Sequence, residues 1–272
     1  MTLYPLLTAP FFRTTPWGGS MFRDAFLKDA PEQTGESFEV SSVENCESMV
    51  CSGAHAGQSL PHMIAVWGES LTGAADFPLT AKLIDAQGAP EPLEPGSAKA
   101  WVILNCAPGP KIAIGADNWI DARPGDVHYI PAGQPHAIGA GIQLYEIQST
   151  AAPDAAGAVP SHKLRGVTSL CRGGSRTYYI SDGKIELCRL NVSGAMPVSD
   201  GRMLCLTPLG PCKLRWADDE MELMPFATVV IPAALEGAVI ESDDCKVLMA
   251  SASNQEALRA ELGYRAEGVA GL

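Results

Sequence analysis

The feature that most constrains the fold of this chain is an internal repeat. Ile130-Pro131-Ala132 recurs as Ile231-Pro232-Ala233, an offset of 101 residues. Gly109-Pro110 recurs as Gly210-Pro211 and Ala137-Ile138 as Ala238-Val239 at the same offset, and Val102 and Ile103 fall on Met203 and Leu204. One shared offset across four separate matches indicates a duplicated unit. Within each unit, short segments alternate apolar and polar residues between Gly and Pro punctuation. They include 35–41, 101–104, 126–130, 141–147, 184–190 and 227–231. Helical patterns are few. They are Ser20 to Lys28, Ser59 to Trp67 with Gly68 as terminator, and Ala257 to Leu262 behind a Ser253–Glu256 capping box, stopped at Gly263.

A unit of about 100 residues built of short strands and tight turns suits one antiparallel double-sheet barrel. The predicted fold is therefore all-β, with two jelly-roll (cupin-like) β-barrel domains and a few short helices. The boundary is placed in the low-signal stretch 151–160, giving domains 1–158 and 159–272. The 272-residue length and 46% hydrophobic content support two cores of this size. The acidic stretch Asp218-Asp219-Glu220 reads as a solvated hairpin tip between strands 213–216 and 221–223.

The two halves differ where chemistry would sit. After the first Ile-Pro-Ala the chain reads Gly133-Gln134-Pro135-His136-Ala137; the second copy reads Ala234-Leu235-Glu236-Gly237-Ala238. A barrel-mouth histidine is present in one copy only, so a site is expected in the first half. Nineteen Lys and Arg against 31 Asp and Glu give a formal charge of −12. That sign disfavours nucleic acid and anionic membranes as partners. No window approaches the roughly 20 apolar residues of a membrane span. The eight cysteines include no C-x-x-C pair, so free thiols and a cytoplasmic location are expected.

Several segments together carry a family resemblance. They are Pro16-Trp17-Gly18-Gly19, Thr34-Gly35-Glu36-Ser37-Phe38-Glu39-Val40-Ser41 and Phe77-Pro78-Leu79-Thr80-Ala81-Lys82-Leu83-Ile84-Asp85-Ala86. Further along come Pro124-Gly125-Asp126, Tyr129-Ile130-Pro131-Ala132-Gly133, His136-Ala137-Ile138-Gly139 and Tyr145-Glu146-Ile147-Gln148. On these motifs the chain resembles the short bacterial form of type I mannose-6-phosphate isomerase, a double-cupin family that binds zinc in its first barrel.

The resemblance implies that Lys82 and Glu146 stand at active-site positions and that His136 is the last zinc histidine. Lys82 and Lys99 are read as substrate-binding, and Trp17 with its glycines as a packed loop anchor or a substrate contact. The resemblance also implies a degenerate metal site. The family's Gln and His ligands of a Q-x-H-P segment fall on Pro92 and Glu94, and its ligand Glu two residues before a Trp falls on Lys99. The family's catalytic Arg falls near Ala156. Catalytic zinc takes three protein ligands and an open position, and only His136 and Glu94 remain as metal candidates. No cofactor is therefore expected, or zinc if the site has been rebuilt. The Lys99 ammonium is expected near the metal's position, paired with Glu94, because buried charges must be paired.

The function expected is a silent or very weak relative that binds a sugar or sugar phosphate, with Lys82, Lys99, Arg13 and Arg172 as phosphate-clamp candidates. The alternative is an active zinc-dependent isomerase with a rebuilt site. A protein partner or a homo-oligomer is a further expectation. His55, His62, His128 and His162 show no ligand spacing and are read as incidental.

Overall fold

The computed structural model describes residues 2–73, 79–90, 96–115, 118–150 and 163–272. The chain begins with β1 (Leu6–Ala9), β2 (Phe11–Gly19), α1 (Met21–Asp24), β3 (Thr34–Val40) and β4 (Met49–Val50). Next come α2 (Leu60–Trp67), α3 (Glu69–Thr72), β5 (Leu79–Ala86), β6 (Lys99–Cys106), β7 (Lys111–Ile114), β8 (Trp119–Asp121), β9 (Val127–Ile130), β10 (His136–Ile138) and β11 (Ile142–Ser149). The second half holds β12 (Val167–Cys171), β13 (Gly174–Ser181), β14 (Ile185–Pro197), β15 (Leu204–Pro208) and β16 (Cys212–Trp216). It ends with β17 (Asp219–Leu223), β18 (Val229–Ile231), β19 (Val239–Ala252) and α4 (Gln255–Leu262). The chain is predominantly antiparallel β.

The duplication is visible in the strand order. The first half forms the sheet β2-β3-β5-β11-β6-β9 faced by a smaller sheet β10-β7-β8. The second half repeats the large sheet as β12-β13-β14-β19-β15-β18, with the β16–β17 hairpin on β19. β7, β8 and β9 map onto β16, β17 and β18 at the 101-residue offset, to within a residue or two at their ends. Where the first half interrupts its chain between β10 and β11, the second runs through as the single 14-residue strand β19. β19 pairs with β16 early (Leu214 opposite Ile240) and with β14 and β15 later. The N-terminal strand crosses over: β1 pairs with β18, Leu6 opposite Val230. β1, and β4 beyond it, thus extend the sheet of the second half.

Three cores result. One fills the first barrel around Trp101, Ile103, Ile112 and Leu144. A second fills the other barrel around Leu190, Leu206, Trp216 and Met249. The third lies in the seam, where Leu83, Tyr145 and Ile147 of the first sheet meet Ile180, Leu187 and Leu248 of the second. Strand alternation sorts the residues: along β11, Ile142 and Leu144 join the first-barrel core while Tyr145 and Ile147 join the seam. Each such side chain removed from water contributes roughly 1.5–3 kcal/mol before chain entropy is counted.

The helices follow their predicted signals with two corrections. α2 is capped by Ser59, whose Oγ accepts from the His62 N–H at 3.3 Å, and stops at Gly68 with φ +50°. α1 is one turn, ending where Ala25 leaves helical backbone at φ −123°, and Leu27 beyond it takes a positive φ of 55°. The Ser20 hydroxyl donates to Asp24 rather than capping, and the Met21 N–H is taken by Asp85 at 3.0 Å. For α4, the cap is Asn254, which accepts from the Ala257 N–H at 3.1 Å. Ser253 instead exchanges a hydrogen bond with Ser181 at 2.6 Å, tying the strand end to β13.

Candidate functional site

Inside the first barrel the apolar lining gives way to a cluster of charges. Lys82 on β5 stands directly opposite Glu146 on β11, and Glu146 opposite Trp101 on β6. The Lys82 ammonium lies 2.8 Å from Glu146 Oε1 and 3.0 Å from Glu36 Oε1 on β3. Glu146 Oε2 accepts from the Trp101 indole N–H at 2.7 Å and lies 3.6 Å from the Lys99 ammonium. Glu36 also holds Arg13, whose guanidinium donates at 2.8 Å and rests over the Phe38 ring. Glu146 is fully buried and Lys99 and Lys82 nearly so.

His136, the first residue of β10, completes the cluster. Its ring lies 5.4 Å from Trp101, edge to face. Nδ1 is 2.8 Å from the Gln134 carbonyl, so that nitrogen carries the proton and donates. Nε2 is then a buried acceptor without a partner among the described residues. The electrostatics are asymmetric. Burial opposes ionisation of Glu146, but Lys82 and then Lys99 override it and hold the carboxyl at about 2. Burial likewise works against the Lys82 ammonium, yet Glu146 and then Glu36 raise it above the ordinary lysine range. His136 is lowered by burial and then by Lys99, which keeps its ring neutral.

The structure therefore brings together Lys82, Glu146, Lys99 and His136. It places Trp17 differently. Trp17 sits in the stretch looped out between Thr14 and Gly19, both of which face Thr34. Its ring fills the space that a side chain at Gly35 would need, its backbone lies over Gly88, and it packs against the first-barrel core. That is a loop anchor. Arg172 lies beyond β12 in the second half, exposed and remote from the cluster. Glu94, with Pro92, Ala156, Phe77 and His162, lies outside the described residues. The expected Lys99–Glu94 pair is accordingly not described, and the carboxylate that Lys99 does meet is Glu146.

Sequence reasoning gives no role to two residues on these strands. The signal for Glu36 is the period-2 alternation that puts it on the same face as Phe38. His128, incidental by its spacing, lies on the neighbouring strand. It is buried opposite Trp101 on β9 with neither ring nitrogen partnered, and burial lowers it to about 4.

Among the described residues no group of three or more His, Cys, Asp or Glu is placed to hold a metal ion. The donors present in the cluster do not fit zinc. His136 Nε2 is available, but Glu146 is already committed to two ammonium groups and an indole, and Lys99 raises the positive potential around the imidazole. A dication there would be opposed by both lysines. What the arrangement does offer is hydrogen bonding and charge: ammonium donors, one imidazole acceptor and a guanidinium at the rim.

No protein-family model matches the chain. It is 28% identical over 186 residues to the mannose-6-phosphate isomerase ManA of Bacillus subtilis, a match covering 54% of this chain and 58% of that protein. The chain thus spans somewhat more than half the length of the curated relatives it matches. The crystal structure of the mannose 6-phosphate isomerase from Bacillus subtilis superposes with a TM-score of 0.80 at 18% identity, covering 91% of this chain and 99% of that one. A zinc-bound mannose 6-phosphate isomerase superposes with a TM-score of 0.73 at 10% identity, covering 93% and 100%. The two structural likenesses establish the shared fold.

Proposed function

We propose, for a chain that is a relative of the mannose-6-phosphate isomerases, that its first barrel binds a sugar or sugar phosphate without isomerising it. The observation that carries this reading is the Lys82–Glu146–Lys99 network beside the unpartnered His136 Nε2. Aldose–ketose isomerisation moves a proton between adjacent carbons and needs a base with a pKa near the working pH. A carboxyl held at about 2 is a poor base and an ammonium raised above the usual lysine range surrenders no proton, so within the described cluster only the neutral His136 imidazole is left to move one. The same groups suit recognition. Lys82, Lys99 and Arg13 donate to phosphate or hydroxyl oxygens, and His136 Nε2 accepts from a sugar hydroxyl.

A second reading rests on one observation. An unpartnered buried imidazole nitrogen is also what a metal ligand presents, so zinc rebuilt on His136 and Glu94 would restore an active isomerase. One experiment separates the two: metal content of chain purified without chelators, calorimetric titration with mannose 6-phosphate, and coupled turnover on the same sample. The proposal expects no stoichiometric zinc, saturable binding that is lost in Lys82→Met/Lys99→Met, and no turnover. One zinc per chain with turnover would overturn it in favour of the second reading. Absence of binding without zinc would overturn both.

A further inference from the structure

The two large sheets pack face to face through the seam, and twisted sheets packed this way diverge towards their corners. At one corner a cavity of about 280 Å³ opens between the barrels. Val102, Leu104 and Val127 form one wall, with the Pro124–Gly125 turn as its lip. Leu209, Leu248 and Tyr179 form the other. On that second wall the residue type changes as the seam opens. β14 runs from Leu187 to Arg189 on its seam face, and the neighbouring β19 runs from Leu248 to Lys246. Apolar residues are replaced by cations where the cavity begins, and both Arg189 and Lys246 line it.

Among the described residues these cations are not spent elsewhere. The guanidinium carbon of Arg189 lies 5.8 Å from the centre of the Tyr179 ring, which fixes it against the wall. Its Nε–H is shut off from solvent and has no hydrogen-bond partner. Among the described residues neither Arg189 nor Lys246 pairs with a carboxylate. Asp126, beside the lip, is held by Lys163 at 2.6 Å. In a chain with 31 acidic against 19 basic residues, two unpaired cations on one concave apolar surface call for an anion. Ligand sites characteristically combine apolar walls with a few convergent polar groups.

We propose that this inter-barrel cleft binds a small amphipathic anion. Its carboxylate or phosphate meets Arg189 and Lys246, and its apolar body lies along Val102, Leu104, Val127 and Leu248. The site is separate from the first-barrel cluster and stands without the reading given above for that cluster.

The probe is octanoate, titrated calorimetrically into the full chain, with octylamine as the same body of opposite charge and acetate as the same charge without the body. Saturable octanoate binding is expected, at least tenfold weaker in Arg189→Gln and several-fold weaker in Lys246→Gln. Octylamine and acetate should not bind over the same range, and excess mannose 6-phosphate should not displace octanoate. Lys246 is exposed, so Lys246→Gln keeps the test readable should Arg189→Gln fail to fold. Equal binding of octylamine, displacement by mannose 6-phosphate, unchanged affinity in Lys246→Gln, or no saturable binding at all would each overturn the proposal.

Discussion

The two barrels share a strand order and differ in what fills them. On the β5–β11 ladder Lys82 faces Glu146; on the corresponding β14–β19 ladder Leu190 faces Val247 and Cys188 faces Met249. Where the first half turns into His136, the second has Gly237 with φ +71°. The second barrel shows that this frame closes over an interior whose centre is apolar, with the buried Glu186–Arg202 pair near the start of β14. Replacing a buried ion pair by well-packed apolar residues is often neutral or stabilising, so the charges of the first barrel are not there because the fold needs them. The difference sets the Lys82–Glu146–Lys99 network and His136 apart as the site proposed above.

The comparison can be broken most forcefully at Glu146. Glu146→Leu leaves Lys82 and Lys99 buried without their shared carboxylate, and a loss of about 3–5 kcal/mol is expected in denaturant unfolding. The triple variant Lys82→Met/Glu146→Leu/Lys99→Met makes the first barrel resemble the second and should recover most of that loss while abolishing mannose 6-phosphate binding. A triple variant as unstable as the single one would mean that the two interiors are not interchangeable.

Acid separates the barrels by an expected difference of about 3 kcal/mol. Glu146 is held at about 2 in the folded chain, below its ordinary value of 4.5. Its contribution is therefore complete above pH 4.5 and lost as pH falls towards 2. Wild type should lose correspondingly more stability than the triple variant across that window. His128, lowered by burial in both proteins, costs stability in each as pH falls below about 6.5 and cancels in the difference. His136 cancels only in its burial part, because Lys99, Glu146 and Lys82, which also act on it, are replaced in the triple variant. Parallel unfolding curves for wild type and triple variant from pH 5 to pH 2 would contradict the assignment.

Smaller effects sharpen the comparison. Gly237→Ala places a Cβ in left-handed backbone and should cost about 1–2 kcal/mol, whereas His136, on extended backbone, has no such restriction; His136→Ala should instead act on ligand affinity. At the duplicated position, Ile130→Val and Ile231→Val should each cost about 1 kcal/mol. Both residues are fully buried at the ends of β9 and β18. Costs that differ widely would show that the repeat has diverged in packing as well as in chemistry.

Much of this was legible along the chain because it is local or periodic. The repeat offset returned as matching strands β7 to β9 and β16 to β18, and Ser59 and Gly68 bound α2 as their backbone chemistry dictates. The acidic hairpin tip followed for the same reason. The first-barrel charges were identifiable as residue types, but their partners were not. Lys99 meets Glu146, forty-seven positions away, because β6 and β11 are neighbours in the sheet, while its expected partner Glu94 lies outside the described residues. For Trp17 the flanking glycines already pointed to a loop anchor beside the substrate-contact alternative, and its close approach to Gly35 and Gly88 shows how it is packed.

The sequence by itself determined the duplicated all-β architecture and the half in which polar residues accumulate, since periodicity and composition act within a few residues of chain. Only the tertiary structure decided that β1 joins the second sheet, which ammonium meets which carboxylate, and that Arg189 and Lys246 flank a cleft between barrels. Each of those depends on contacts between segments tens to hundreds of residues apart, which strand pairing and sheet packing set and local pattern does not.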